Sequence, residues 1–415
     1  MLLLIDCKDK LEESASKGNN GPRRRKPSKT SETGKVVSNG KEYVQLPLAD
    51  NHQSSDDGSD GVEVTVTAPA TPSGSRSSSP TSVPKSITYS DVGYAACGST
   101  GRLLVDVSVL VSQIGFCCSY LIFIAQNLAS FVYGVSDTQW QLIVLVPLFL
   151  LTLIPDLSNL AVFSFAAQLS NLFAFLVVFY FDFEHFHLAS SEHRKEFSLA
   201  GFPFFFAVAI YCYEGAGMIL SLEQSVSDEV RPLFRRYFVV TIVSITVGYV
   251  LFGVAGYLSF GPETKDIITL NLPQEAGLDF AVLVKSCLCF SLFFTYPVMM
   301  FPVTGLLERK LAGTGYSGRA AGYIIRAGLV ALTGITVQII PCFSQIMGLI
   351  GATCCNFLAF IMPAFCHMRL FKKADSKTVW FNRLLIATGI VGFVLGTFDA
   401  VVKILQPADE GQCDA

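Results

Sequence analysis

The stretch FPFFFAVAIYCYEGAGMILSL, Phe202 to Leu222, decides how the chain is read. It is apolar almost throughout, long enough to cross the ~30 Å hydrocarbon core of a bilayer. Near its middle stands Glu214, followed at once by Gly215-Ala216-Gly217. A carboxylate at that depth costs about 2.5–3.5 kcal/mol on insertion scales, so it must face protein or water and not lipid. The two glycines weaken the helix at the same point. A helix broken at mid-membrane offers amides and carbonyls that can hold the charged ends of a small solute. A carboxylate beside them is suited to take and release protons. A plainer reading stands beside this one: Glu214 caps the second half-helix and the glycines only pack.

The rest of the chain agrees with a membrane setting. Of 415 residues, 51% are hydrophobic and only 15% charged, too few polar groups to cover a soluble core of this size. The mean hydropathy of +0.49 points the same way. The net charge of −3 carries no pointer to nucleic acid. Nine apolar runs are expected to cross: Leu103–Leu128, Trp140–Ile154, Leu160–Phe181, Gly201–Leu222, Tyr237–Phe260, Phe280–Val303, Tyr323–Ile340, Phe343–Phe365 and Leu384–Ile404. The second is short and contains Pro147, so it must tilt or extend into its flanks. The fold expected is therefore an all-α polytopic membrane protein.

Four regions follow from composition. Residues 1–5 form an apolar stub of a transmembrane helix, too short to span. Residues 6–100, rich in Ser, Gly, Pro and charge, read as a disordered cytosolic segment. Residues 101–405 form the transmembrane domain, and 406–415 a short tail on the opposite side. Orientation rests on Lys and Arg in the short loops. Arg231, Arg235, Arg236, Arg309, Lys310, Arg319, Arg369, Lys372, Lys373, Lys377 and Arg383 fall in one alternate set, and only Arg194, Lys195, Lys265 and Lys403 in the other. The first set, with the N-terminal segment, is read as cytosolic.

Other features carry less. Pro297 and Pro302 in FFTYPVMMFPV each free a carbonyl, beside which Thr295 and Tyr296 are candidates to bind solute or ion. The competing reading of Thr295 is that its hydroxyl satisfies the kink. In LIGATCCNF the small residues favour close helix contact, and Asn356 reads as packing. Lys285 and Arg326 are expected to snorkel from span ends. Asp399 and Lys403, four apart, are expected to pair. Most of the twelve cysteines lie in apolar runs and read as small packing residues. No metal-ligand spacing and no nucleophile–base constellation suggests an enzyme, a metal or a cofactor. The loop holding Glu184, His185, His187 and His193 reads as solvated. Tyr43-Val44-Gln45-Leu46 matches the tyrosine-x-x-bulky pattern read by trafficking adaptors.

Four stretches carry a family resemblance: SQIGFCCSYLIFIAQNL at Ser112–Leu128, YCYEGAGMILSLEQSV at Tyr211–Val226, DIITLNLP at Asp266–Pro273 and LFFTYPVMMFPV at Leu292–Val303. Together they resemble the amino acid/auxin permease family, in particular its plant-type vacuolar transporters of neutral and aromatic amino acids. The resemblance implies an inverted-repeat transporter core and amino acid movement coupled to protons. It places Tyr213, Glu214, Gly215, Ala216 and Gly217 at the unwound centre of the family's sixth helix, with Thr295 and Tyr296 on its eighth. Glu214 is then the proton-coupling group, and the backbone from Gly215 to Gly217 the substrate cradle. One departure is expected. MLLLIDCKDKL resembles the end of the family's second helix, so the first helix and most of the second are missing from this sequence. A shortened isoform, an incomplete gene model and an altered protein are all open on that ground, and a non-transporting amino acid sensor or regulator is the alternative function.

Overall fold

The structure is a computed structural model that describes residues 1–19, 87–132, 134–154, 161–185, 198–227, 229–272, 280–312, 319–371 and 374–405. Residues 1–16 and 86–415 pack as one compact unit. Every regular element among the described residues is helical. Among the described residues, seven helices are long and apolar enough to cross a membrane, and two shorter apolar ones accompany them. Each of the nine expected runs falls on one of these helices.

Helix α1, Leu2–Asn19, precedes the first of them. Next come α2 (Tyr89–Phe131), α3 (Asp137–Thr152) and α4 (Ala161–His185). The fourth crossing is divided into α5 (Phe202–Cys212) and α6 (Ile219–Ser225). Then follow α7 (Phe234–Phe260), α8 (Phe280–Ala312) and α9 (Arg319–Ile339). The eighth crossing begins as α10 (Phe343–Ile350) and ends as α11 (Met362–Leu370), and α12 (Ser376–Leu405) is last. Helix α8 packs along both α2 and α4, and α5 lies against α10 and α12. One apolar core joins α2, α3, α8, α9 and α10, and a second joins α1, the start of α2, α6 and α11.

Two departures from expectation lie at the N-terminal side. The stub at 1–5 and the disorder beginning at residue 6 give way to the single helix α1. Leu4, Cys7 and Leu11 recur at helical spacing and face the second core. Lys8 on the same face is fully buried, and its Nζ donates to Glu223 at 2.6 Å. The charges that made this stretch look solvated are thus paired across the fold. The disorder expected up to residue 100 does not extend over 89–100, which are helical. Thr88 and Asp91 form a reciprocal capping box, and α2 starts at Tyr89. It bends sharply at Gly98, whose φ of 67° only glycine adopts freely. The remainder of the expected segment, 20–86, with Tyr43–Leu46, lies outside the described residues, as do 186–197 and the tail 406–415.

The eighth crossing holds a feature the residues did not announce. Between α10 and α11 the chain runs through π-helical turns, Gly351–Cys355 and Phe357–Ile361. Such wide turns are rare and concentrate at functional sites. Gly351 is required there: a Cβ would run into the carbonyl oxygen of Ala207 on α5.

Candidate functional site

The site is the interval Tyr213–Met218 between α5 and α6. Helix α5 ends where Tyr213 N reaches back to Ala209 and Ile210, and Glu214 N still bonds Tyr211 O at 3.2 Å. Helix α6 restarts with Ile219 N on Gly215 O at 2.9 Å. Between them the amides of Ala216 and Gly217 turn to the Glu214 side chain, Oε1 accepting from Ala216 N at 3.1 Å. Glu214 therefore folds back onto amides of the break itself, ahead of Met218, which begins α6 without a side-chain capping bond. Its other oxygen, Oε2, is covered and has no hydrogen-bond partner among the described residues. Neither Gly215 nor Gly217 has a positive φ. Their contribution is weak helix propensity and absent side chains: a Cβ on Gly217 would lie 3.7 Å from Val109 of α2, and one on Gly215 would lie 3.3 Å from the Met1 Cε.

The walls come from several elements. Tyr213 is fixed by α7, its hydroxyl donating to Thr246 Oγ1 at 2.8 Å and its ring meeting Tyr249 edge-on at 5.5 Å. Tyr211 packs edge-on against Phe116 of α2 at 4.7 Å, and its buried hydroxyl has no hydrogen bond of good geometry among the described residues. Cys354 and Cys355 of the π-helical turn and Tyr89 lie within electrostatic reach of Glu214. Sequence reasoning missed the π-helical wall and the approach of α1.

Thr295 and Tyr296 are not drawn into this group. The Thr295 hydroxyl bonds Ser291 O of its own helix at 2.8 Å, one residue pair away from Phe293, whose carbonyl Pro297 frees. Tyr296 is fully buried, its hydroxyl 2.8 Å from Thr333 Oγ1 on α9, and its carbonyl faces Cys117 on α2. Among the described residues, the Tyr296 contacts tie α8 to α2 and α9, the Thr295 bond stays within α8, and neither reaches Tyr213–Gly217. Lys285 does not snorkel: it is buried and donates to Ser130 Oγ at 2.9 Å. Asp399 and Lys403 pair at 2.9 Å as expected, and Asn356 ties the eighth crossing to Gly389 O of α12 at 2.8 Å.

The family described as transmembrane amino acid transporter protein matches residues 75–403. The chain belongs to that family. Amino acid transporters of Arabidopsis thaliana are similar to the chain over much of its length. The amino acid transporter ANT1 of Arabidopsis thaliana is 33% identical over 348 residues, covering 77% of this chain and 78% of the relative. The amino acid transporter AVT3A of the same plant is 34% identical over 326 residues, covering 76% and 74%. AVT1B, also of Arabidopsis, is 27% identical over 330 residues, covering 77% and 60%. The family member described here is thus an integral, multi-pass membrane protein for amino acid transport and not an enzyme.

Proposed function

We propose that this chain carries neutral amino acids together with protons by alternating access about the broken fourth crossing, in the vacuolar membrane. The observation that carries the reading is the Glu214 carboxylate seated on the amides of Ala216 and Gly217. Those amides are also the natural seat for a substrate carboxylate. While Glu214 is ionised, its own charge-assisted hydrogen bond holds the seat. A proton on Glu214 removes that charge, loosens this contact, and frees the amides for the amino acid. Proton and substrate then bind cooperatively, because each favours the same state of Glu214. When the substrate leaves, the carboxylate gives up its proton and returns to the amides.

Tyr213, held by Thr246 and Tyr249, shapes the side-chain pocket. The names of the Arabidopsis relatives support the substrate class. The Lys and Arg distribution supports a cytosolic N-terminal segment, on which Tyr43–Leu46 is available to trafficking adaptors. The test is uptake of labelled leucine by the purified full chain in proteoliposomes, with and without an imposed pH gradient. Accumulation above equilibrium that requires the gradient is expected. Equal uptake in both conditions would refute proton coupling, and no uptake would leave the sensor reading in its place.

A further inference from the structure

The cradle at the break has donors for a carboxylate, and a zwitterion also carries an ammonium. We infer that Gln113 of α2 is a specificity residue that receives the substrate's α-ammonium group, an inference resting on the transport reading above. Three observations place it. Val109 of α2 stands 3.7 Å from where a Gly217 Cβ would be. Phe116 of the same helix meets the Tyr211 ring at 4.7 Å. Residues 109, 113 and 116 are spaced by four and three, so they share one helix face. Gln113 lies between two contacts that bracket Glu214 in sequence.

Its side chain is built into the protein. Gln113 is 4% exposed, and its Oε1 has no hydrogen-bond partner among the described residues. A buried amide oxygen left alone costs free energy, and more so where lipid surrounds the fold. The only chemistry that satisfies an acceptor is a donor. The charged donor a neutral amino acid brings is its ammonium. With its carboxylate on the amides of Ala216 and Gly217, that ammonium has to be met by an acceptor on the facing wall. Gln113 supplies one that stays uncharged throughout, so it serves the substrate whether or not Glu214 holds a proton. Recognition by Oε1 separates an amino acid from a carboxylic acid of the same shape.

The experiment measures binding of leucine and of its des-amino analogue, 4-methylpentanoate, to the purified full chain by competition with labelled leucine. In the wild type, leucine is expected to bind more tightly than the analogue. Gln113→Met keeps the length and removes the acceptor. It should weaken leucine by about tenfold and leave the analogue unchanged, so discrimination collapses. Gln113→Glu keeps an oxygen acceptor and should retain discrimination. Gln113→Asn draws the oxygen back by one methylene and repeats the test should the Met variant not fold. Because the readout is a ratio within one variant, a loss of folded protein does not imitate it. Full discrimination in Gln113→Met or Gln113→Asn would overturn this inference alone. A wild type that binds no amino acid would overturn the transport reading and this inference with it.

Discussion

Lys8 offers a sharp test of how α1 is held. It is fully buried, and its Nζ meets Glu223 at 2.6 Å and Glu12 at 3.3 Å. Arg231 meets the other Glu223 oxygen at 3.3 Å. Replacing Lys8 by Met removes one buried charge and leaves the Glu223 carboxylate with Arg231 alone. Breaking such a pair costs about 3–5 kcal/mol, and the remaining Arg231 contact sets the expectation at the low end, about 3 kcal/mol. That converts to a rise of roughly a hundredfold in the population of detached α1. Cys7 reports it directly. It is buried beside Lys8, and burial, with Asp6, pushes its thiol up to about 12. It therefore reacts with maleimide only when α1 opens. Mass spectrometry should show Cys7 labelled about a hundredfold faster in Lys8→Met, while exposed Cys97 labels quickly in both proteins. The double variant Lys8→Met with Glu223→Leu should recover much of the protection, since the carboxylate left without Lys8 is gone. Unchanged Cys7 labelling in Lys8→Met would refute the claim that this ion pair holds α1 in place.

Three further outcomes follow from the same geometry. Gly351→Val forces a side chain into Ala207 O, and should lower stability by about 1–3 kcal/mol in a detergent melt; Gly217→Ala, with 3.7 Å to its nearest neighbour, should melt like wild type. Tyr296→Phe loses the Thr333 bond, and should cost about 1 kcal/mol of stability while the KM for leucine stays the same. In the loop after α7, burial pushes the Asp266 carboxyl above its usual range, against opposing bonds from Ser344 and the charge of Lys403. The folded state thus holds this proton more tightly than the unfolded one, so its contribution is full at low pH and is lost as pH rises through the shifted range; Asp266→Asn should flatten that part of the melting curve's pH dependence.

Much of this molecule is legible in the residues because a bilayer imposes a simple length rule. Each run of about twenty apolar residues became a crossing, and Glu214 with its glycines marked the break because an acid in such a run has few tolerable settings. What stayed hidden depends on partners far away in sequence. Asp6, Lys8 and Glu12 look like a solvated stretch until Glu223, Arg231 and Arg235 are brought to them. The same holds for Lys285, whose partner Ser130 lies 155 residues earlier. Tyr296 reads as a site residue beside Pro297, yet its hydroxyl is spent on Thr333, which no local pattern reveals. The π-helical turns left only small residues as a trace, since the contact that needs them is with Ala207. Gln113 carried a signal of the kind that drew attention to Glu214, a polar side chain within an apolar run, but without adjacent glycines to mark it.

The coupling role of Glu214 is best tested by comparing two modes of transport in Glu214→Gln proteoliposomes. Exchange of labelled for unlabelled leucine needs only the substrate seat, whereas accumulation against a gradient needs a group that binds and releases a proton. The account predicts that Glu214→Gln keeps exchange and loses pH-driven accumulation. Accumulation at the wild-type level in that variant would contradict it.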